Sequence, residues 1–198
     1  MAPSVQSSKV LKLKVTLKDT KPPIWRRLLV QENMSLSDLH EAIQVVMGWM
    51  GYHMYHFEIA GDHFGNPKMT EEVSNDARIK LSQLVIDGIS RFTYTYDFGD
   101  DWVHGIVIEG EEPKKDDLLY PICIAGKRSG PPEDCGGPWG YQELIEILAT
   151  PDHPEREERL EWLEERELKP ELFDMVAVNS ALRSRFTKTG KARKNPTS

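Results

Sequence analysis

At 198 residues, 39% hydrophobic and 29% charged, the chain is long enough to bury a sizeable core as one domain. Its first residues, Met1-Ala-Pro-Ser-Val-Gln-Ser-Ser8, lack a positive n-region and an apolar h-region, no run approaches the roughly 18 apolar residues of a membrane span, and the two cysteines are too few for a disulfide framework, so a reducing cytoplasm without membrane insertion is expected. The formal net charge of −7 conceals six lysines and arginines in the last sixteen residues, which leaves −13 on residues 1–182; such an acidic body repels phosphate backbones, so nucleic acid is an unlikely partner except weakly through the basic tail.

After a flexible N-terminus over residues 1–7, Val10-Leu-Lys-Leu-Lys-Val-Thr-Leu17 alternates apolar and polar, and Ile24-Trp-Arg-Arg-Leu-Leu-Val30 is a second strand-like run. The turn-rich Asp19–Pro23 between them predicts an antiparallel hairpin. Ser35 or Ser37 offers an N-cap for a helix whose apolar face is Leu36, Leu39, Ile43, Val46 and Met47, ending near Gly48. This is a ββα opening. In Trp49–Ile59, strand parity puts His53, Tyr55, Phe57 and Ile59 on one face and Met54, His56 and Glu58 on the other. Gly61–Pro67 reads as a turn, the polar stretch to Arg78 as a surface loop, and Leu81–Val85 as a short helical turn.

Phe92–Tyr96 and Val103–Ile108 form a second predicted hairpin through Asp97-Phe-Gly-Asp-Asp-Trp102, followed by an acidic loop over Glu109–Asp117, a short apolar strand at Tyr120–Ala125 and a Gly/Pro-rich loop from Gly126 to Trp139. Tyr141, Leu144, Ile145 and Leu148 mark a helix that stops before Pro151; Pro154–Leu168, with Glu155 and Arg159 at helical spacing, and Leu172–Leu182 are two more. The fold expected is α+β: an antiparallel-rich sheet built from two hairpins with the ββα opening, plus C-terminal helices, in one domain over residues 8–186. Residues 187–198 read as a basic disordered tail.

Chemistry concentrates in Tyr94-Thr-Tyr-Asp-Phe-Gly-Asp-Asp-Trp-Val-His104 and Pro131-Pro-Glu-Asp-Cys-Gly-Gly137, where carboxylates, a histidine and a cysteine stand among glycines, prolines and aromatics. The ligand-binding candidates are Asp97, Asp100, Asp101, Trp102, His104, Glu133, Asp134, Cys135, Trp139, Tyr141 and His53. No catalytic residue is assigned. Asp97, Asp100, His104 and Asp134 are candidate ligands for a divalent metal, because carboxylate oxygens and imidazole suit Mg²⁺, Mn²⁺ or Zn²⁺. Against that, aspartates around Gly99 can cap the turn's own amides, and no spacing such as HExxH fixes a ligand set. Cys135 before a helix has one feature of a nucleophile, yet the neighbouring Glu133 and Asp134 raise a thiol pKa. His53 and His56 on opposite strand faces cannot share a metal, and His40 beside Glu41 reads as a surface residue. Asp97-Phe-Gly99 matches three letters of the kinase magnesium motif without the glycine-rich loop, strand lysine or catalytic loop that a kinase needs.

Trp49 with His53-Met-Tyr-His-Phe57, the Tyr94–His104 and Pro131–Tyr141 segments, Gly126 and Asn179 resemble the plasmid pRiA ORF-three-like family, over roughly residues 8–186. The resemblance implies proteins encoded on plasmids, insertion elements and prokaryotic chromosomes, some labelled resolvase-like passengers, and implies no particular activity. The residues do not support recombination: the arginine-rich set needed around a scissile phosphate is missing. The expectation is a binding or adaptor module whose aromatic and acidic groove, between the second hairpin and the Gly/Pro loop, takes a protein segment or a small polar ligand. The alternative is a divalent-metal-dependent hydrolase using the Asp/His cluster.

Overall fold

A computed structural model describes residues 9–164 and 168–192. The first hairpin forms as its alternation predicts: β1 (Lys9–Leu17) pairs antiparallel with β2 (Ile24–Gln31), Leu13 opposite Leu28. Leu11, Leu13, Val15 and Leu17 of β1, with Ile24, Leu28 and Val30 of β2, give one apolar face, and Arg26 is buried in the same row. Helix α1 (Leu36–Met47) lies on that core, and the Ser35 side chain accepts from the Asp38 amide at its start. At its end Gly48, at φ 85°, donates to the carbonyls of Gln44 and Val45, a left-handed stop that only glycine adopts without steric cost.

Strand β3 (Tyr55–Ile59) buries Tyr55, Phe57 and Ile59, as parity predicts. The turn expected over Gly61–Pro67 contains a strand, β4 (Asp62–Gly65), which pairs with β3, and the expected surface loop holds a two-residue strand, β5 (Ser74–Asn75), and a 3₁₀ turn over Asp76–Arg78. Asp76 there is buried and accepts from Tyr55 Oη at 2.7 Å. Helix α2 (Leu81–Ile86) leads to the second hairpin, β6 (Arg91–Tyr96) with β7 (Trp102–Pro113).

Strand β7 corrects the reading of Glu109–Asp117 as a loop, for it continues to Pro113 beside β1. Its acids have partners that local sequence does not show: Lys9 and Lys12 reach Glu111 and Glu112 at 2.6 and 3.2 Å, and Arg27 grips Glu109 through Nε and Nη2. Strand β8 (Ile122–Lys127) sits two residues later than expected. The sheet runs β5-β4-β3-β6-β7-β1-β2-β8 and is antiparallel except between β4 and β5.

Helix α3 (Gly137–Ala149) starts earlier than the Gly/Pro loop suggested, α4 (Arg156–Trp162) is shorter than Pro154–Leu168, and α5 (Met175–Ala192) runs past Leu182 into the segment read as tail. The assignments to residues 1–7, to the end of the tail at 193–198 and to residues 165–167 lie outside the described residues. At the β8 edge, Asn179 of α5 accepts from Cys123 N and donates to Cys123 O, each at 2.8 Å.

Candidate metal centre

Asp97 follows the end of β6 with a left-handed backbone, φ 58°. Its carbonyl accepts from Asp101 N at 2.7 Å, and its Oδ1 from Gly99 N at 2.9 Å and Asp100 N at 3.4 Å. The capping role expected of a turn aspartate is therefore filled by one carboxylate oxygen, which leaves Oδ2 for another partner. Asp97 N also donates to Met54 O at 2.9 Å, so the turn is stitched to the segment that precedes β3.

That segment carries His53. Parity had placed it on the buried face of a strand with Tyr55, but β3 begins only at Tyr55, and His53 lies in a bend with its ring edge-on to Tyr96 at 5.7 Å. Its Nε2 stands 3.6 Å from Asp97 Oδ2 and 3.2 Å from Asp134 Oδ1, without a hydrogen bond to any of the described residues. Asp134, at φ 59°, presents a side chain that is 68% exposed, so the cluster is closed on the Asp97 side and open on the Asp134 side.

The loop bearing Asp134 is clamped by ties that sequence spacing does not encode. Trp49 Nε1 donates to Pro131 O at 2.9 Å, Met50 N donates to Glu133 Oε2 at 2.9 Å, Tyr96 Oη donates to Glu133 Oε1, and Gly136 N donates to Asp100 Oδ2 at 3.2 Å. A Cβ on Gly137 would stand 2.3 Å from the Asp100 carbonyl oxygen, so only a bare backbone permits this approach. Glu133 and Asp100 are thereby occupied in positioning the loop, while Asp101, exposed and at φ 53°, completes the turn.

The other candidates fall elsewhere. His104 is fully buried, its Nδ1 3.0 Å from Trp102 O and 3.3 Å from Tyr94 O, and burial lowers its pKa to about 4. It stands with Trp49 and Tyr94 in the core, apart from the aspartates. The aromatic floor expected for a groove is packed instead: Tyr94, Tyr96, Trp102 and Tyr141 are buried, with Trp49 stacked on Tyr96 at 5.0 Å. Trp139, by contrast, is 87% exposed in the first turn of α3. Burial first, then Asp100 and Asp134, push the Cys135 thiol up to about 12, which disfavours the thiolate that a nucleophile needs. His40 is buried rather than on the surface; it stacks on Tyr55 at 3.6 Å, with Nδ1 2.7 Å from Tyr94 Oη.

Among the described residues, His53, Asp97 and Asp134 are the group whose metal-ligating atoms all lie within 4.8 Å of one another. Tetrahedral donors about 2.1 Å from an ion stand about 3.4 Å apart, and the two nitrogen-to-oxygen separations of 3.2 and 3.6 Å bracket that value. One imidazole and two carboxylates suit Zn²⁺ or Mn²⁺ and leave at least one coordination position for water or a ligand.

The family described as Plasmid pRiA4b ORF-3-like protein matches residues 9–180, a span that takes in the whole sheet and all three residues of this cluster. The chain belongs to the pRiA4b ORF-3-like family. The Uncharacterized protein y4hQ of Sinorhizobium fredii (strain NBRC 101917 / NGR234) is 42% identical over 156 residues, which is 77% of this chain and 80% of the relative. The crystal structure of MM3350, a protein of unknown function from Methanosarcina mazei Go1, matches this ORF-3-like fold with a TM-score of 0.80 at 40% identity, covering 86% of this chain and 98% of the other. Among the described residues, no helix is long and apolar enough to cross a membrane.

Proposed function

We propose that this ORF-3-like protein is a binding module built around a divalent cation held by His53, Asp97 and Asp134. One observation carries the reading: the buried nitrogen of His53 lies 3.2 and 3.6 Å from two carboxylate oxygens without hydrogen-bonding to either. Turn capping uses only Asp97 Oδ1, so Asp97 Oδ2 and the Asp134 carboxylate are left to face His53, either as an ion pair with its protonated ring or as co-ligands of a cation. On the exposed Asp134 side the ion keeps open positions, where a small polar ligand or a carboxylate of a protein segment can coordinate. The same openness favours a second reading, hydrolysis by a metal-activated water.

The test is a thermal-shift titration of chelator-treated protein with Zn²⁺, Mn²⁺, Mg²⁺ and Ca²⁺. At about 100 times its dissociation constant an ion adds roughly 2.7 kcal/mol, which raises the midpoint of a domain this size by about 5 to 10 °C. Asp134→Asn is the decisive variant because Asp97 also caps its own turn. The shift is expected with Zn²⁺ or Mn²⁺ and should vanish in Asp134→Asn and His53→Gln; a flat panel, or a shift that both variants keep, overturns the proposal.

A further inference from the structure

Among the described residues, no acid pairs with the buried Arg26. Its row on β2 faces the core, where it is 1% exposed. Nε donates to Val46 O at 2.8 Å, and Nη1 to Trp25 O and Lys127 O at 2.9 and 3.0 Å. The Phe173 ring lies 4.1 Å from its Cζ. Nη2 makes no hydrogen bond, and no carboxylate pairs with the guanidinium, among the described residues. Burial lowers its pKa to about 10, so it remains a cation at neutral pH. A buried charge is normally paired, because leaving it unpaired is expensive.

Arg26 lines a cavity of about 510 Å³ between the end of α1, the loop at 129–133 and the start of α5, a volume typical of small-molecule sites. Its walls include Val45, Met47, Leu172, Phe173 and Val178. The two acids at the cavity are engaged elsewhere: Glu133 accepts from Tyr96 Oη and Met50 N, and Asp174 Oδ1 caps α5 through the amides of Val176 and Ala177. A largely apolar space that holds the Arg26 guanidinium, with Ser129 and Lys169 also on its lining, matches a small anion with an apolar body.

We propose that this cavity binds a small organic carboxylate, its anionic end on Nη2 of Arg26 and its apolar body against Met47, Leu172 and Val178. The site shares no ligand atom with the proposed metal centre, so either can fail while the other stands.

Titration calorimetry on the full, chelator-treated chain, with octanoate and phenylpropanoate as probes and octanamide as the neutral control, tests it. A charge-assisted bond predicts that octanamide binds at least about tenfold more weakly than octanoate. Arg26→Gln should abolish that preference. Because Arg26 also holds three backbone carbonyls, Ala177→Phe provides a variant that leaves it untouched: Ala177 is exposed and lines the cavity, so a phenyl group there takes up binding space with the fold intact. Weaker octanoate binding in Ala177→Phe, by about tenfold or more, supports the site. Equal binding of octanoate and octanamide, undiminished binding in Ala177→Phe, or no saturable binding of either carboxylate overturns it.

Discussion

Lowering the pH through the histidine range should destabilise the protein steeply, because two histidines are held neutral in its core. His40 is brought to about 3, mainly by burial and then by Arg185, and His104 to about 4 by burial, against the raising effect of the carbonyls of Tyr94 and Trp102. Both folded values lie below the ordinary 6.5, so the unfolded chain takes up a proton at each site that the folded chain refuses. The stability they contribute is full above about pH 6.5 and is lost as the pH falls toward 4, at about 1.4 kcal/mol per pH unit for each histidine. Together they remove roughly 5 kcal/mol between about pH 7.5 and 4.5, a large part of a typical domain's stability. Asp76, whose pKa burial raises, acts in the opposite direction, so the variant comparison is more decisive than the total. Urea unfolding at constant ionic strength, in steps of pH, should give a slope smaller by about 1.4 kcal/mol per unit in His104→Phe than in the parent. Equal slopes in the two proteins would refute the assignment of His104 as a buried neutral base.

Three further outcomes follow from the loop clamp. Gly137→Ala combines φ 69° with a Cβ 2.3 Å from the Asp100 carbonyl oxygen, so beyond the roughly 1–2 kcal/mol of left-handed strain it must displace the loop; a melting temperature within about 2 °C of the parent's would count against the clamp. Tyr96→Phe removes one of two donors to Glu133 and should cost about 1–2 kcal/mol in denaturant unfolding, with no loss if Glu133 is free in solution. Cys135, raised from 9.0 to about 12, should react with iodoacetamide about a thousandfold more slowly in the folded protein than in urea; comparable rates followed by mass spectrometry would show the thiol to be exposed.

Much of the sheet could be read from local rules. Period-two alternation located β1, β2 and β3, and Ser35 with Gly48 bounded α1 at both ends. Those rules failed where a residue's partner is distant in sequence. Glu109, Glu111 and Glu112 look like a solvated loop until Arg27, Lys9 and Lys12 appear across two neighbouring strands. His40 looked like a surface residue because Glu41 is its neighbour, whereas the turn of α1 aims it at Tyr55 and Tyr94. At the site, composition pointed to the two segments that bear Asp97 and Asp134, while His53 stood among the ligand-binding candidates but not among the metal candidates. His104 shares the motif with Asp97 but lies in the core, while His53, which parity made a strand residue, is turned by a bend toward both aspartates. Arg26 on the core row of β2 carried no signal beyond its parity with Ile24 and Leu28.

The Asn179 amide at β8 has a bearing on how copies of the chain behave toward one another. An unpaired strand edge is a template on which another chain can add and so begin aggregation. Asn179 gives Cys123 both the acceptor and the donor that an added strand would bring, and α5 blocks the approach there. At the opposite end the sheet closes with a two-residue strand, too short to offer a ladder. Resistance to edge-to-edge polymerisation is therefore lodged partly in one side-chain amide of the C-terminal helix, and a chain cut before Met175 would expose at Cys123 the kind of edge from which β-aggregates grow.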